Sequence, residues 1–260
     1  MSKAAPTSDT ATADIRFAGV HMAFGERIVL DGLDCQFPAG KISVILGGSG
    51  AGKSTLLRLI GGLIAPQAGR IDVAGENVVG ASGTALRRIR QRVAMLFQGG
   101  ALLDSLTVRD NISLPLREHT KLTPAAIDAR VTEALHSVGL GELYKLLPGE
   151  LSGGMLRRAA LARAIVYRPQ ILLCDEPFSG LDPISVRRIE KLLIELNREH
   201  GITIVVVSHH IGSTLRMADH ILLFLGGHTI EGSADALRHS PEADVAEFFA
   251  EAAPPAEPAP

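Results

Sequence analysis

The chain has 260 residues, and its hydrophobic content of 46% is enough to bury the core of one large domain or of two. Its net charge is −2, its aromatic content is 4% and it has no Trp. This composition predicts neither a basic surface nor a base-stacking surface, so nucleic acid is not expected to be the main partner. The two cysteines, Cys35 and Cys174, lie far apart without metal-ligand spacing. They are predicted to be buried free thiols of a reducing compartment.

The first part of the chain is predicted to lead into a small antiparallel sheet. Residues 1–13 are polar, lack the apolar segment of a secretion signal and are expected to be disordered. Short alternating segments follow over residues 15–35 and are separated by Gly25 and Gly32, as in antiparallel strands joined by turns. Phe24 lies at one of these turns. Its ring is expected either to stack on a purine or to close the core of the small sheet.

A strand, a glycine-rich turn and a helix start follow one another after residue 41. The apolar run Ile42–Leu46 predicts a buried strand, and the next residues have the G-x-x-x-x-G-K-S spacing of a phosphate-binding P-loop. The predicted nucleotide-binding residues here are Gly47, Gly48, Ser49, Gly50, Ala51, Gly52, Lys53, Ser54 and Thr55. Glycines let the backbone aim several N–H groups at one anion, with the positive end of a helix dipole behind them. Lys53 supplies a charge for the outer phosphates of ATP, and Ser54 supplies a hydroxyl ligand for Mg²⁺. A flexible glycine loop that matches by chance is the alternative.

Two more strands and a helix are predicted before residue 98. Arg70–Val73 is expected to rejoin the sheet, and the arginine-rich run that follows is interpreted as a solvated helix face rather than a binding patch. Val93–Phe97 predicts a buried strand that delivers Gln98 at its carboxyl end, where ligands gather in open α/β sheets. Gln98 is expected to hold a water or a metal ion there, or to be only a loop residue.

A helical subdomain is predicted over about residues 99–160. Apolar residues recur at helical spacing from 107 to about 147, and no strand pattern interrupts them. Ser152, Gly153 and Gly154 then begin a basic helix, with Ser152 placed as its N-cap. Exposed backbone N–H groups at that helix start form a second candidate anion site. The alternative is a plain capped helix.

Two further buried strands end in polar residues that suit phosphate chemistry. Ile171–Cys174 is apolar and is followed by Asp175 and Glu176, which a parallel sheet would place at its carboxyl edge. Asp175 is predicted to hold Mg²⁺, directly or through water, and Glu176 to be the general base that polarises the attacking water. A pair of carboxylates that only face solvent is the alternative. The strand Ile202–Val207 leads to His209, which is predicted to donate to the terminal phosphate, although a lone histidine is more often structural.

The C-terminal part is predicted to form a hairpin and short helices. Ile221–Leu225 and His228–Glu231, joined across two glycines, are the expected hairpin. Residues 14–235 are interpreted as one domain, residues 236–250 as a C-terminal helix, and the Pro/Ala-rich residues 251–260 as a disordered tail or a docking peptide. No apolar run reaches the roughly 18 residues of a transmembrane helix, so a role at a membrane needs another chain to span it.

In order and spacing, these motifs resemble those of ATP-binding-cassette ATPases. The resemblance is carried by the P-loop, Gln98, Leu151–Gly154, Asp175–Glu176, Ser179–Asp182 and His209. It implies an α/β fold, a P-loop NTPase (RecA-like) core with an antiparallel β subdomain and an inserted helical subdomain. It also implies hydrolysis of ATP to ADP and phosphate by two copies paired head-to-tail. Each ATP, with Mg²⁺, then lies between the P-loop of one chain and Ser152, Gly153 and Gly154 of the other, and Asp182 is a further nucleotide-binding residue.

A closer resemblance is to the ATPase subunits of Mce-type (Mla) phospholipid transporters of Gram-negative bacteria. It is carried by Phe97–Val108, Leu114–Glu118 and Leu151–Met155 followed by two arginines, where Met155 replaces the Gln of most cassette ATPases. The resemblance implies phospholipid transport between inner and outer membrane, driven from the cytoplasmic face of the inner membrane by a peripheral subunit. The implied partners are an integral-membrane permease, an Mce-domain substrate-binding protein and a small regulatory subunit.

The sequence departs from the family pattern at two further positions and leaves rival functions open. Phe24 stands where Tyr is common, and His210 stands where Asp usually follows the switch histidine. The rivals are a cassette ATPase for another cargo, such as amino acids or lipoproteins, a small-molecule kinase, a DNA-repair cassette ATPase and a regulatory subunit without turnover. A kinase has no use for the Ser-Gly-Gly segment, and repair ATPases carry long coiled-coil inserts. The presence of Glu176 and His209 disfavours a subunit without turnover.

Overall fold

Two sheets with helices packed around them form the fold in the computed structural model, which describes residues 13–250. In chain order the strands are β1 (Ala13–Phe24), β2 (Arg27–Pro38), β3 (Ile42–Gly47), β4 (Ala68–Val73), β5 (Glu76–Asn77), β6 (Val93–Leu96), β7 (Ile171–Asp175), β8 (Thr203–Val207), β9 (His220–Leu225) and β10 (His228–Gly232). The helices are α1 (Lys53–Ile60), α2 (Gly83–Arg92), α3 (Val108–His119), α4 (Pro124–Ser137), α5 (Gly153–Ile165), α6 (Pro183–His200), α7 (Ile211–Met217), α8 (Ala234–Arg238) and α9 (Ala243–Ala250). The predicted disordered segments, 1–13 and 251–260, lie outside the described residues except for Ala13, which begins β1.

The smaller sheet is antiparallel and has the strand order β2-β1-β4-β5. The sequence predicted several short segments before residue 36, and this division was wrong, because two twelve-residue strands span the region. Gly19 and Gly32 have φ angles of +56° and +63° and lie where the β1–β2 register shifts. Glycine at these positions therefore makes β-bulges within long strands, whereas the prediction treated Gly32 as a strand boundary.

The larger sheet has the strand order β10-β9-β3-β8-β7-β6 and is parallel except for β10. The predicted hairpin is confirmed as β9 and β10. The predicted burial of Val93–Phe97 was wrong: β6 is an edge strand, only its Leu96 is buried, and Phe97 is 40% exposed. An edge strand has a neighbour on one side only, which leaves its other side uncovered.

The central strands β3, β8 and β7 are buried on both faces and separate two hydrophobic cores. In β3, Val44 and Leu46 point into a core shared with helices α3 to α9, whereas Ile45 points into a core shared with α1 and the antiparallel sheet. Burial on both faces explains why these strands are continuous apolar runs. Cys35 and Cys174 are buried free thiols, as predicted, and burial raises the pKa of both.

Among the described residues, all the regular structure between β6 and β7 is helical, and α3, α4 and α5 pack against one another there. The division of this region as a subdomain over about residues 99–160 stays a prediction. The predicted C-terminal helix is two helices, and α8 begins before residue 236. Leu237 and Val245 join the α3–α9 core, so this segment packs on the parallel sheet. Across residues 13–250, no helix has both the length and the hydrophobicity needed to cross a bilayer.

The end of β3 packs closely on β9 at Gly47, its last residue, and a substitution there tests this packing. Its φ is +140°, and a Cβ there would lie 2.7 Å from the carbonyl oxygen of Phe224. Gly47→Ala is therefore expected to lower the free energy of unfolding by about 2 kcal/mol or more, through overlap and backbone strain. Chemical denaturation measures the change. Gly48→Ala is the control, since a Cβ at Gly48 has nothing within 4 Å; equal losses in the two variants would contradict the prediction.

Candidate nucleotide-binding site

Three neighbouring parallel strands end at the same edge of the larger sheet. β3 runs into the P-loop, β7 into Asp175 and Glu176, and β8 into His209. Because β8 pairs with both β3 and β7, the three ends are brought side by side, as expected for the carboxyl edge of an open α/β sheet.

A pocket of about 480 Å³ lies at this edge. It is lined by Phe24, Arg27, Val29, Ser49, Gly50, Gly52, Lys53, Ser54, Thr55, Gln98, Glu176, Val207 and His209. Most of the predicted P-loop residues and four others, Phe24, Gln98, Glu176 and His209, thus share one cavity. Phe24 is 49% exposed, so its ring does not close the core of the small sheet, and stacking on a base stays the prediction for it.

The ammonium group of Lys53 is partly buried and folds back onto the P-loop backbone. Lys53 Nζ donates to the carbonyl oxygens of Gly47 and Gly48, at 2.8 Å each. Burial lowers the pKa of Lys53, while the charges of Glu176 and Asp175 act in the opposite direction. Helix α1 begins at Lys53, and its N-cap residue, Gly52, offers no side-chain hydrogen bond to the helix start. The motif predicts that the first N–H groups of α1 and this ammonium bind phosphate, and the role stays a prediction.

The residues predicted to bind Mg²⁺ offer oxygen ligands that suit this ion. Ser54 Oγ donates to Asp175 Oδ1 at 2.9 Å, so a hydroxyl and a carboxylate meet beside the P-loop. Gln98 Nε2 lies 3.5 Å from Ser179 Oγ, and Gln98 is exposed at the pocket. No group of three or more His, Cys, Asp or Glu side chains that could hold a metal occurs among residues 13–250. This sparse set fits Mg²⁺, which keeps waters and takes phosphate oxygens beside one or two protein ligands.

Glu176 and His209 approach each other across the pocket. His209 Nδ1 lies 2.8 Å from Glu176 Oε2, an ion-pair distance when the imidazole is protonated. The contact does not have hydrogen-bond geometry, and Oε2 is buried without a hydrogen-bond partner among the described residues. Glu176 also has a φ of +48°, a left-handed conformation that is strained in a non-glycine residue. A strained backbone thus holds the Glu176 carboxylate at the pocket, with Oε2 buried beside His209 Nδ1.

The Ser-Gly-Gly segment and Asp182 lie outside this pocket. Ser152 Oγ accepts the Met155 N–H at 3.3 Å, so Ser152 is the N-cap of α5 as predicted. Asp182 Oδ1 accepts the N–H groups of Ile184 and Ser185, at 3.0 Å each, and caps α6. Hydrogen bonds from Ser185 lower the pKa of Asp182. One chain therefore does not bring these residues to its own P-loop.

Comparison with known proteins assigns the family. A family model described as "ABC transporter" matches residues 30–179. The chain belongs to the ABC transporter ATP-binding family. It is 47% identical over 226 residues to the intermembrane phospholipid transport system ATP-binding protein MlaF of Escherichia coli (strain K12), covering 86% of this chain and 84% of that protein.

Two other similar proteins extend this comparison. The probable ribonucleotide transport ATP-binding protein mkl of Mycobacterium tuberculosis (strain ATCC 25618 / H37Rv) is 40% identical over 236 residues, covering 90% of this chain and 66% of that protein. A dimeric post-hydrolysis structure of the ATP-binding cassette MJ0796, bound to ADP and Pi, has a TM-score of 0.77 at 30% identity and covers 85% of this chain and 98% of that chain. The predicted family, the predicted fold and the predicted ATPase class are therefore confirmed, and this ABC ATPase is the ATP-binding subunit of a transporter.

Two arginines of this ABC ATPase contact the loops of the site, and the sequence did not predict these contacts. Arg27 lies outside the P-loop, and its Nη2 donates to the Gly50 carbonyl at 2.9 Å. The hairpin turn that pairs Arg27 with Phe24 is the feature that could have pointed to a place for Arg27 in the site. Arg157 is 8% exposed and donates to the carbonyl oxygens of Phe97, Gln98 and Ser179. It thereby ties the loop of Gln98 to the loop after Glu176. The sequence showed only a basic helix, because its contacts are long-range.

Arg27→Ala is expected to weaken ATP binding about fivefold, since the P-loop loses one exposed hydrogen bond from a charged donor, worth about 1 kcal/mol. Calorimetric titration of ATP into the purified chain measures the Kd. The control is Arg16→Ala, which removes an exposed arginine that contacts Gln36 elsewhere in the same sheet. Equal Kd values for the two variants would show that Arg27 does not support the loop.

Proposed function

We propose that this ABC ATPase uses Mg²⁺-dependent ATP hydrolysis to drive phospholipid transport between the inner and outer membrane, from the cytoplasmic face of the inner membrane. The observation that carries the chemistry is one pocket lined by most of the P-loop, Glu176 and His209, with Asp175 hydrogen-bonded to the pocket residue Ser54. The cargo rests on the 47% identity to the E. coli protein named for intermembrane phospholipid transport.

In the proposed reaction, ATP and water give ADP and phosphate. Ser54 and Asp175, with Gln98 beside them, would hold Mg²⁺, which neutralises phosphate charge when bound. Glu176 accepts a proton from the water as the water oxygen attacks the terminal phosphorus and the bond to the ADP oxygen breaks. Lys53 and His209 stabilise the charge on the transferred group, and the P-loop backbone holds the phosphates in line. The position of the Glu176 carboxylate in the pocket, beside His209 and across from the P-loop, supports this assignment.

A second copy of the chain would complete the site from the other side. Within one chain the N-terminus of α5 lies apart from the pocket, and a Cβ at Gly154 would lie 2.5 Å from Ser185 Oγ, so this helix start packs closely on α6. Head-to-tail pairing would place Ser152, Gly153, Gly154 and Asp182 of one copy against the nucleotide of the other. The solved relative MJ0796 is dimeric, which supports this arrangement.

Glu176→Gln is expected to retain ATP binding and to lower turnover about 100-fold or more, because an amide cannot accept the proton of the attacking water. Phosphate release measures turnover, and light scattering with ATP measures the accumulated dimer. Glu199→Gln, an exposed substitution near the end of α6, is the control and should behave like the unchanged chain. Near-normal turnover of Glu176→Gln would remove Glu176 from the general-base role.

The edge of the parallel sheet offers a docking groove for a membrane permease. A groove of about 480 Å³ runs between α2, the edge strand β6 and the ends of α3 and α5. Val93, Met95 and Tyr167 give it apolar walls, and Arg87 lies on its rim. α2 buries only Ile89 and its arginines are exposed. Arg87 is proposed to belong to a binding surface, whereas the sequence favoured a solvated helix face. A cytoplasmic helix of the permease, apolar on one side and acidic on the other, fits this surface and would lie next to the strand that leads to Gln98.

An Mce-domain protein and a small regulatory subunit are the further proposed partners. Reconstitution in vesicles tests which cargo is transported. The chain is purified with the membrane partners it retains and is placed in vesicles containing a fluorescent phospholipid. We expect ATP-dependent transfer of that lipid to acceptor vesicles, and none with Glu176→Gln. Arg87→Glu should lose the permease through charge reversal, whereas Arg16→Glu should keep it. ATP-dependent movement of another solute without lipid transfer, such as a ribonucleotide, would replace the phospholipid proposal.

A further inference from the structure

The loop after β8 carries two adjacent histidines, and the mechanism uses only the first. His209 reaches Glu176, whereas the ring of His210 turns toward the loop that follows β7. His210 is the N-cap of α7, yet its side chain accepts no hydrogen bond from the helix start. Capping is the usual task of a side chain at this position. The chain therefore places at this helix start a side chain that makes other contacts.

The His210 ring packs on the chain segment that carries the proposed general base. Its centroid lies 6.1 Å from that of Phe178, with the planes at 65°, an edge-to-face arrangement. Phe178 is 2% exposed and follows Glu176 by two residues. Aromatic pairs in this geometry attract each other beyond the effect of buried area. The contact therefore bridges the ends of β7 and β8 outside the sheet.

Hydrogen bonds hold the other side of His210. Its Nδ1 lies 3.3 Å from the hydroxyl of Ser213, and its backbone N–H donates to Ser208 Oγ at 2.9 Å. Ser213 Oγ in turn lies 3.4 Å from Arg216 Nη2, and Arg216 Nε donates to Glu190 Oε2 of α6 at 3.1 Å. Glu190 is 4% exposed. The histidine ring is thus linked to an ion pair between two helices, of which the Glu190 carboxylate is buried.

We propose that His210 is a positioning residue for ATP hydrolysis, which fixes the His209 loop against the Glu176 loop through its ring contact with Phe178 and its hydrogen bond to Ser213. This inference rests on the proposed roles of Glu176 and His209. The 2.8 Å approach of those two side chains spans two separate loops, so a small shift of either loop changes it. Such misplacement slows the chemical step without removing any group that holds the phosphates.

The test measures kcat and KM for ATP on the full-length chain, together with Tm. His210→Ala should lower kcat about tenfold, which corresponds to about 1.4 kcal/mol in the transition state, and leave KM within about twofold. His210→Phe keeps a ring edge on Phe178 and should retain kcat within about threefold. His200→Ala, an exposed histidine at the far end of α6, is the matched control and should leave kcat and KM unchanged.

A stability effect is separated from positioning by a fourth variant. His210→Asn supplies a strong N-cap for α7 but no ring, so it should keep Tm at or above that of the unchanged chain and still lose kcat about tenfold. Full kcat in His210→Asn or His210→Ala would overturn the proposal, as would equal losses in His210→Phe and His210→Ala. If Glu176→Gln abolishes turnover while the His210 variants keep it, only this inference fails.

Discussion

The parallel pairing of β3, β8 and β7 is the constraint on which the site depends. Val207 of β8 is in register with both Ile45 of β3 and Asp175 of β7, so β7 and β8 end at one level and β3 runs two residues further into the P-loop. The pairing continues past the strands, since Glu176 N donates to the Val207 carbonyl at 2.9 Å. A slip of one residue would exchange the two buried faces of a strand. The two hydrophobic cores therefore fix the relative positions of the P-loop, the carboxylates and His209.

Strain and desolvation collect where these strands end. Glu176 adopts a left-handed backbone conformation, and Gly47 has a φ that only glycine adopts easily next to Phe224. Burial lowers the pKa of Lys53 beside them. Such costs persist only when surrounding structure over-determines the conformation, and the strand pairing with its two cores supplies that support. The unfavourable local geometry thus lies at the pocket that performs the proposed chemistry.

Local patterns were sufficient to predict the parts of the site that follow strand ends. The P-loop, Asp175 with Glu176, and His209 were all found because a continuous apolar run precedes each of them. The predictions that were wrong or absent concern features set by residues distant in sequence but close in space. Among the described residues, β6 pairs with β7 alone, and its own sequence does not show that it lies at the edge of the sheet. β1 and β2 are long because their pairing continues past the β-bulges. Arg27 and Arg157 act on carbonyl groups 22 or more residues away, and composition carries no sign of such contacts.

Helix starts next to this chain's own pocket differ from the other helix starts in how they are capped. Among helices α1 to α8, six begin at a side chain that accepts a helix N–H, namely Ser82, Thr107, Thr123, Ser152, Asp182 and Ser233. The other two, α1 and α7, begin at Gly52 and His210 without a side-chain cap, and both follow pocket residues. At α1 the helix start lines the pocket, where its uncapped N–H groups are predicted to bind phosphate. α7 has seven residues and is too short to be stable alone, so its position depends on packing against Phe178 and α6. The two helix starts next to this chain's own pocket are therefore uncapped, whereas the starts of α5 and α6, proposed to meet the nucleotide of a second copy, carry their own caps.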